Sequence, residues 1–122
     1  MPTAKKKNKS NPQWIRRHVT DPYVKAATQH GYRSRAAYKL MELDAKDRLL
    51  RPGATVVDLG AAPGGWAQVA AARVGPQGRV VAVDLLEMEP VAGAAFIRGD
   101  FTTDATLAAI DMALAGRAVD LV

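Results

Sequence analysis

The sequence contains no cysteine, and its two histidines, His18 and His30, lie far apart in the chain. Disulfide bonds and thiolate-bound metal centres are therefore excluded. A zinc or iron site needs several ligating side chains at characteristic spacings, and no such spacing is present. We predict no metal site, and the composition is compatible with a reducing compartment.

Long apolar runs are absent as well. No apolar segment of the signal-peptide kind follows the basic N-terminus, and no run approaches the roughly 20 residues that span a bilayer. The sequence thus predicts a soluble, cytoplasmic protein without membrane contact. Its 122 residues, 48% of them hydrophobic, suffice for one domain with an ordinary core.

Acidic residues are scarce in the first part of the chain. Residues 1–51 carry 13 lysines and arginines against 4 acids, a net charge of +9, whereas residues 52–122 carry 4 against 8, a net charge of −4. A basic half of this kind predicts contact with a polyanion, most often nucleic acid, although a solvated basic tail is the alternative. We expect residues 1–12 to form a disordered basic arm and residues 13–51 a helical segment that faces RNA. Trp14, beside Arg16 and Arg17, could stack on RNA or serve as a packing anchor.

A glycine-rich turn lies at the centre of the sequence, within Thr55–Trp66. Val56, Val57 and Leu59 predict a buried parallel strand, and the alanine-rich stretch that follows the glycines predicts a helix. This order directs the free amides of a helix N-terminus at a ligand above the strand. A triphosphate loop is disfavoured, because Trp66 and Ala67 stand where it needs Lys and a hydroxyl. A dinucleotide loop and a glycine turn without ligand remain alternatives.

Two acids follow at the ends of further apolar segments. Arg79–Leu85 predicts a second buried strand, and its Asp84 stands 24 residues after Gly60, close to the spacing of a ribose-binding acid. Ala95–Phe101 suggests a third strand that contains Asp100, which could accept a hydrogen bond from a base amine or merely begin a loop.

Helical periodicity marks three further segments. Asp21 and Pro22 predict a helix start, and Ser34 precedes a helix over Arg35 to about Asp47. A third helix is predicted from Asp104 to about Leu114. The predicted buried faces are Ala36, Ala37, Leu40 and Leu43 in the second helix, and Leu107, Ile110 and Leu114 in the third.

Lys39 falls on the flank of the apolar face of the second helix. It can extend to water or reach into a neighbouring cleft as a partly desolvated amine. At the end of the chain, Ala118–Val122 begins a fourth predicted strand.

Four stretches together are typical of one family: Arg33–Leu40, Val56–Trp66, Asp84–Leu86 and Gly99–Phe101. On these motifs the chain resembles the FtsJ/RlmE family, bacterial S-adenosylmethionine-dependent methyltransferases that act on a ribose 2′-hydroxyl of large-subunit (23S) ribosomal RNA. The resemblance implies an α/β fold of the Rossmann-like methyltransferase type with an incomplete parallel sheet flanked by helices. Residues 52–122 would be the N-terminal part of its core.

The resemblance also implies site residues, a substrate and partners. Gly64 and Trp66 would lie near the methionine part of S-adenosylmethionine, Asp84 at its ribose and Asp100 at its adenine. Of the family's Lys-Asp-Lys-Glu catalytic set only the first member, Lys39, can be placed here. The implied substrate is a uridine in ribosomal RNA, free or in the ribosomal subunit, and the complete protein is expected to be monomeric.

Two other functions remain open from the residues alone. The chain could be a non-catalytic RNA-binding module that uses the basic arm together with Arg16, Arg17, Arg33 and Arg35, or a nicotinamide-dependent oxidoreductase.

Overall fold

The computed structural model describes residues 30–122. The predicted basic arm, the Trp14–His18 stretch and the helix start at Asp21 lie outside these residues. Within them the elements are, in chain order, α1 (Ala36–Asp47), β1 (Thr55–Leu59), α2 (Gly65–Val74), β2 (Arg79–Asp84), β3 (Ala94–Arg98) and α3 (Asp104–Leu114). The predicted α/β class, a small parallel sheet flanked by helices, is confirmed.

The three strands form one sheet in the order β1-β2-β3, and every pairing is parallel. Thr55 lies opposite Arg79 in the first pair, and Val80 lies opposite Ala94 in the second. On the other side of β1, Leu121 pairs with Val56, and the backbone N–H of Val57 donates to the carbonyl of Leu121 at 2.9 Å. The segment that contains Leu121 therefore lies next to β1, as a fourth strand would.

The predicted fourth strand over Ala118–Val122 is wrong in extent, because only Leu121 is paired with β1 in this way. The reason lies in Asp120. Its carboxylate Oδ2 accepts from the backbone N–H of Thr55 at 2.8 Å, which gives that donor a side-chain partner in place of a ladder bond.

The core has two parts, one on each face of the sheet. On one face, α1 and α2 pack over alternate strand residues such as Val56, Val80 and Ala82. On the other face, α3 covers Val57, Val81 and Val83. Because both faces of β2 are covered, its sequence is a continuous apolar run instead of an alternating one.

Both predicted helix faces were wrong by one residue in their first turn. In α1 the buried row is Ala37, Leu40 and Asp44. The predicted Ala36 is exposed and Leu43 is half-buried. In α3 the buried row is Thr106, Ile110 and Leu114, whereas Leu107 is 49% exposed. Neighbouring residues on a helix are about 100° apart, so Ala36 and Leu107 lie at the edge of their buried faces and not within them.

Asp44 is a buried acid that the sequence did not predict. Only 7% of it is exposed, and its carboxylate accepts from the backbone N–H of Leu50 at 2.7 Å and from Arg73 of α2 at 2.5 Å. The Leu50 N–H, followed by Arg73, holds the pKa of Asp44 below its ordinary value despite the opposing effect of burial. This carboxylate fastens α1 to α2 and to the turn before β1.

Candidate functional site

The carboxyl ends of the three parallel strands meet at one edge of the sheet, and a pocket of about 180 Å³ opens there. Asp84 at the end of β2 and Asp100 just after β3 both line it, together with Gly60 after β1. The lining is completed by Val83, Leu85, Gly99 and Phe101. The structure thus brings together the two acids and the glycine that the sequence analysis singled out.

Asp84 is held by backbone donors on both sides. Its Oδ1 accepts from the N–H of Leu86 at 2.9 Å, and its Oδ2 accepts from the N–H of Ala62 in the glycine loop, also at 2.9 Å. These two bonds, with the Leu86 bond the stronger influence, lower the pKa of Asp84. An ionised carboxylate has about four acceptor positions, so a ligand with hydroxyl groups can still bind it.

Asp100 is exposed, and the turn that follows it fixes its orientation. Its Oδ1 accepts from the hydroxyl of Thr102 at 2.6 Å and from the Thr102 N–H at 2.9 Å. The hydroxyl bond first, and then the backbone bond, lower the pKa of Asp100. Since both bonds use Oδ1, Oδ2 remains available to a ligand in the pocket.

The glycine loop, residues 60–65, is shaped by two close approaches. Gly60 has a φ of +80°, and its N–H and that of Ala61 both donate to the carbonyl of Val83, at 2.8 and 3.0 Å. Gly64 has a φ of +117°, and a side-chain carbon placed there would lie 3.0 Å from Arg33 Nη1. A side chain at either position would therefore be strained.

Trp66 lies in the first turn of α2 and is 39% exposed. Its indole Nε1 donates to the carbonyl of Ala36 in α1 at 2.7 Å. A second cavity of about 260 Å³ lies beside the ring. It is lined by the glycine loop except for Gly64, together with Ser34, Ala36, Asp58, Leu59 and Trp66. Trp66 thus connects the glycine loop to the helix that carries Lys39.

Lys39 lies on the outer surface of α1. Its side chain is 63% exposed, and its Nζ is 3.5 Å from Glu42 Oε1, an ion pair of the weak surface type. It lines an open groove with Arg35, Ala36, Tyr38 and Glu42, separate from the pocket of Asp84 and Asp100. The sequence allowed Lys39 either to extend to water or to reach into a neighbouring cleft, and in the structure it extends to water.

Asp58 is a candidate site residue that the sequence analysis missed. It lies in β1 and borders the cavity beside Trp66, and its buried Oδ2 has no hydrogen-bond partner within residues 30–122. Burial, followed by the negative charge of Asp84, raises the pKa of Asp58 to about 6. The sequence feature that could have indicated Asp58 is its position as an acid within the apolar run before the glycine loop.

No three His, Asp or Glu side chains within residues 30–122 are grouped so as to hold a metal ion. None of the helices in that range is long and apolar enough to cross a membrane.

Comparison with known proteins gives consistent matches. Residues 32–122 match the model of the FtsJ-like methyltransferase family. A ribosomal RNA large subunit methyltransferase E of Azoarcus sp. (strain BH72) is 61% identical over 117 residues, which cover 96% of this chain and 57% of the relative. A protein of the same name from Pseudomonas aeruginosa is 54% identical over 116 residues, covering 95% and 56%.

The fold has a counterpart among solved structures. A Plasmodium falciparum chain described as a ribosomal RNA methyltransferase superposes with a TM-score of 0.56 at 39% identity, covering 61% of this chain and 41% of that one. The chain spans little more than half the length of the curated relatives it matches.

Proposed function

The chain belongs to the FtsJ-like methyltransferase family, and from this we propose that it is the cofactor-binding part of an enzyme that methylates a ribose 2′-hydroxyl. The proposed methyl donor is S-adenosylmethionine, and the proposed substrate is a uridine of large-subunit (23S) ribosomal RNA. Residues 52–122 form the first part of the catalytic core in this proposal, and residues 13–51 face the RNA.

The observation that carries the proposal is the shared pocket of Asp84 and Asp100. Acids from the ends of two neighbouring strands line one pocket with Gly60, the first residue of the glycine loop. An adenosine offers two ribose hydroxyls and an exocyclic amine, all of them hydrogen-bond donors. Asp84 suits the hydroxyls because both of its oxygens are fixed by backbone bonds. Asp100 suits the amine because its Oδ2 is free of the Thr102 bonds.

The methionine part of the cofactor fits the cavity on the other side of the glycine loop. Asp58 supports this fit, because a buried carboxylate oxygen without a donor is costly unless a ligand supplies one. The ammonium group of a bound amino acid is such a donor. Trp66 would lie beside it as an aromatic wall. We propose that Gly64, in the same glycine loop, also lies near the methionine part.

S-adenosylmethionine, when bound, supplies an electrophilic methyl group on a sulfonium sulfur. The chain's own contribution is to hold the ribose oxygen in line with that group. We assign this role to Lys39, whose ammonium orients the 2′-oxygen and stabilises the negative charge that develops on it. Its exposed position suits a macromolecular substrate that approaches from outside. We propose as the proton acceptor the second lysine of the family's Lys-Asp-Lys-Glu set, which cannot be placed in these 122 residues.

A second candidate function is RNA binding without catalysis. The net charge of +9 on residues 1–51 favours it. It predicts RNA affinity with a steep dependence on salt, no affinity for S-adenosylmethionine, and no methyl transfer.

For the complete enzyme we propose a cytoplasmic monomer whose partner is large-subunit ribosomal RNA or the ribosomal subunit.

Calorimetry with S-adenosylmethionine and with NAD tests the proposal on a full-length protein that carries this sequence. We expect binding of the methyl donor alone, and Asp84→Ala should weaken it by about tenfold or more. Asp111→Ala, which removes an exposed acid of α3, is the matched control and should bind normally. Binding of NAD in place of the methyl donor would refute the proposal.

A further inference from the structure

Arg33 lies before α1 in sequence, yet its side chain reaches two loops at the carboxyl edge of the sheet. Its Nη1 donates to the carbonyl of Pro63 at 3.1 Å and also to the carbonyl of Glu89, and its Nη2 donates to the carbonyl of Pro90 at 2.5 Å. Pro63 belongs to the glycine loop, and Glu89 and Pro90 belong to the loop between β2 and β3. One guanidinium therefore connects two loops that no strand pairing connects.

We propose that Arg33 is a positioning residue that sets the glycine loop, residues 60–65, against the β2–β3 loop, residues 85–93, and so fixes the walls of the cofactor site. The planar guanidinium carries donors on two terminal nitrogens in a rigid fork, which suits three carbonyls from two segments. A lysine would offer one point of attachment, and glutamine a single amide group.

The backbone of Arg33 is fixed independently of its side chain. Its N–H donates to Oε1 of Gln68 in α2 at 2.9 Å, and Nε2 of the same glutamine donates to the carbonyl of Gly31 at 3.0 Å. The side chain then packs on Gly64, where an added carbon would lie 3.2 Å from Arg33 Cδ and 3.1 Å from Val91 Cγ2. Arg33 is thus anchored at both ends, and Gly64 provides the room for it.

The sequence alone allowed Arg33 to be a phosphate ligand of RNA. Its contacts favour the positioning role, because both terminal nitrogens already donate to main-chain carbonyls. A phosphate could be bound only by giving up those bonds and leaving carbonyls of both loops without this donor. The two roles differ in what a substitution changes: loop geometry and cofactor affinity in one, RNA affinity and its salt dependence in the other.

Arg33→Lys and Arg33→Gln in the full-length protein test this role, with Arg79→Lys as the matched control. Arg79 is also half-buried and donates to a main-chain carbonyl, that of Ala113, but at the opposite end of β2. Hydrogen exchange should speed up in residues 60–65 and 86–93 of both Arg33 variants, while the amides of Val80–Val83 keep their protection. In the control, both loops should exchange as in the parent.

Because the functional part of the role rests on the proposed function, cofactor binding is measured separately. We expect both Arg33 variants to bind S-adenosylmethionine about tenfold or more weakly, while Arg79→Lys binds it as the parent does. The slope of RNA affinity against salt should stay unchanged, whereas loss of a phosphate contact would lower it by about 1.

The possible results separate the two proposals. Unchanged exchange in both loops, or normal cofactor affinity in the Arg33 variants, would overturn the positioning role and leave the enzyme assignment intact. A parent protein that does not bind S-adenosylmethionine at all would overturn the proposed function, and the exchange data would still decide whether Arg33 connects the loops. A lower salt slope in the Arg33 variants would assign Arg33 to RNA.

Discussion

The indole Nε1 of Trp66 lies 2.7 Å from the carbonyl oxygen of Ala36, and this hydrogen bond joins the first turn of α2 to the first turn of α1. Lys39 is three residues further along α1, about one helical turn from the bond. The position of the proposed catalytic lysine is therefore tied to the helix that begins at the glycine loop. This connection predicts that Trp66 affects catalysis as well as cofactor binding.

Trp66→Phe should keep the aromatic wall and lose the bond to Ala36. We expect a loss of about 1 kcal/mol in the free energy of unfolding and a fall in single-turnover methyl transfer that exceeds the change in cofactor affinity. Trp66→Leu, which removes the ring as well, should weaken both. If Trp66→Phe lowers turnover no more than it lowers cofactor affinity, the hydrogen bond to Ala36 has no separate role in catalysis.

Lys39→Ala should lower methyl transfer by about 100-fold or more, because a positioned charge at the reacting oxygen is lost. Cofactor affinity and stability should hardly change, since the side chain is exposed and its pair with Glu42 is of the weak surface type. Lys46→Ala, an exposed lysine of the same helix, is the control and should leave single-turnover rates unaltered. A Lys39→Ala protein with parental turnover would remove Lys39 from the site.

Asp58 should make stability depend on pH in the direction opposite to most acids. Its pKa is raised from 3.8 to about 6, so its contribution favours the fold at low pH and is lost as the pH rises through this range. Asp58→Asn cannot ionise and should gain stability relative to the parent over the same interval, by about 1 to 2 kcal/mol after allowance for partial solvation. Urea unfolding at a series of pH values measures this difference, and a constant difference would contradict it.

The same residue should couple pH to cofactor binding. An ammonium group near Asp58 favours the carboxylate, so affinity for S-adenosylmethionine should fall as the pH drops below about 6. Asp58→Asn should bind more weakly at neutral pH and lose this dependence. Asp111→Asn, an exposed acid on α3, should retain the parental pH profile. A parental profile in Asp58→Asn would place the ammonium elsewhere.

Asp44→Asn should destabilise the protein at neutral pH by about 2 to 3 kcal/mol, because it disturbs a buried, charged hydrogen-bond set. The pKa of Asp44 is lowered, so its contribution is present above the ordinary value of 3.8 and is lost as the pH falls through its lower folded value. The difference between variant and parent should therefore shrink on acidification. Asp47→Asn, exposed on the same helix, is the control, and an equal loss of stability there would rule out the buried set as the cause.

Much of the sheet could be predicted from local sequence. The valine runs of β1 and β2 are buried on both faces, so their composition alone distinguishes them from surface strands. The position of the glycine loop beside Asp84 and Asp100 could be predicted from these strands, because parallel strands bring their carboxyl ends to one edge of the sheet. Helix α3 was predicted with its observed bounds from its apolar spacing.

Other features depend on contacts between distant residues, and no local pattern indicates them. Asp58 looks like any acid near a turn until the burial of its carboxylate is known. Arg33 lies within a basic segment, and its sequence position gives no sign that its donors face Pro63 and Pro90. Leu107 is apolar and its spacing from Ile110 and Leu114 is compatible with a buried helix face. The buried face of α3 is nevertheless centred one residue earlier, so Thr106 lies in the core and Leu107 is exposed.

The pairing of Leu121 with Val56 has a consequence for how such a site can change. From β1 the chain crosses to β2 and β3 on one side, and it then returns past β1 to place the Leu121 segment on the other side. A topological switch point therefore lies beside β1. Crossovers diverge at such a point and leave a crevice that exists whatever side chains line it. The location of the ligand site is thus inherited from the strand order, whereas its chemical selectivity resides in the short loops after the strands. Replacement of these loops is expected to alter which ligand is accepted without rebuilding the core.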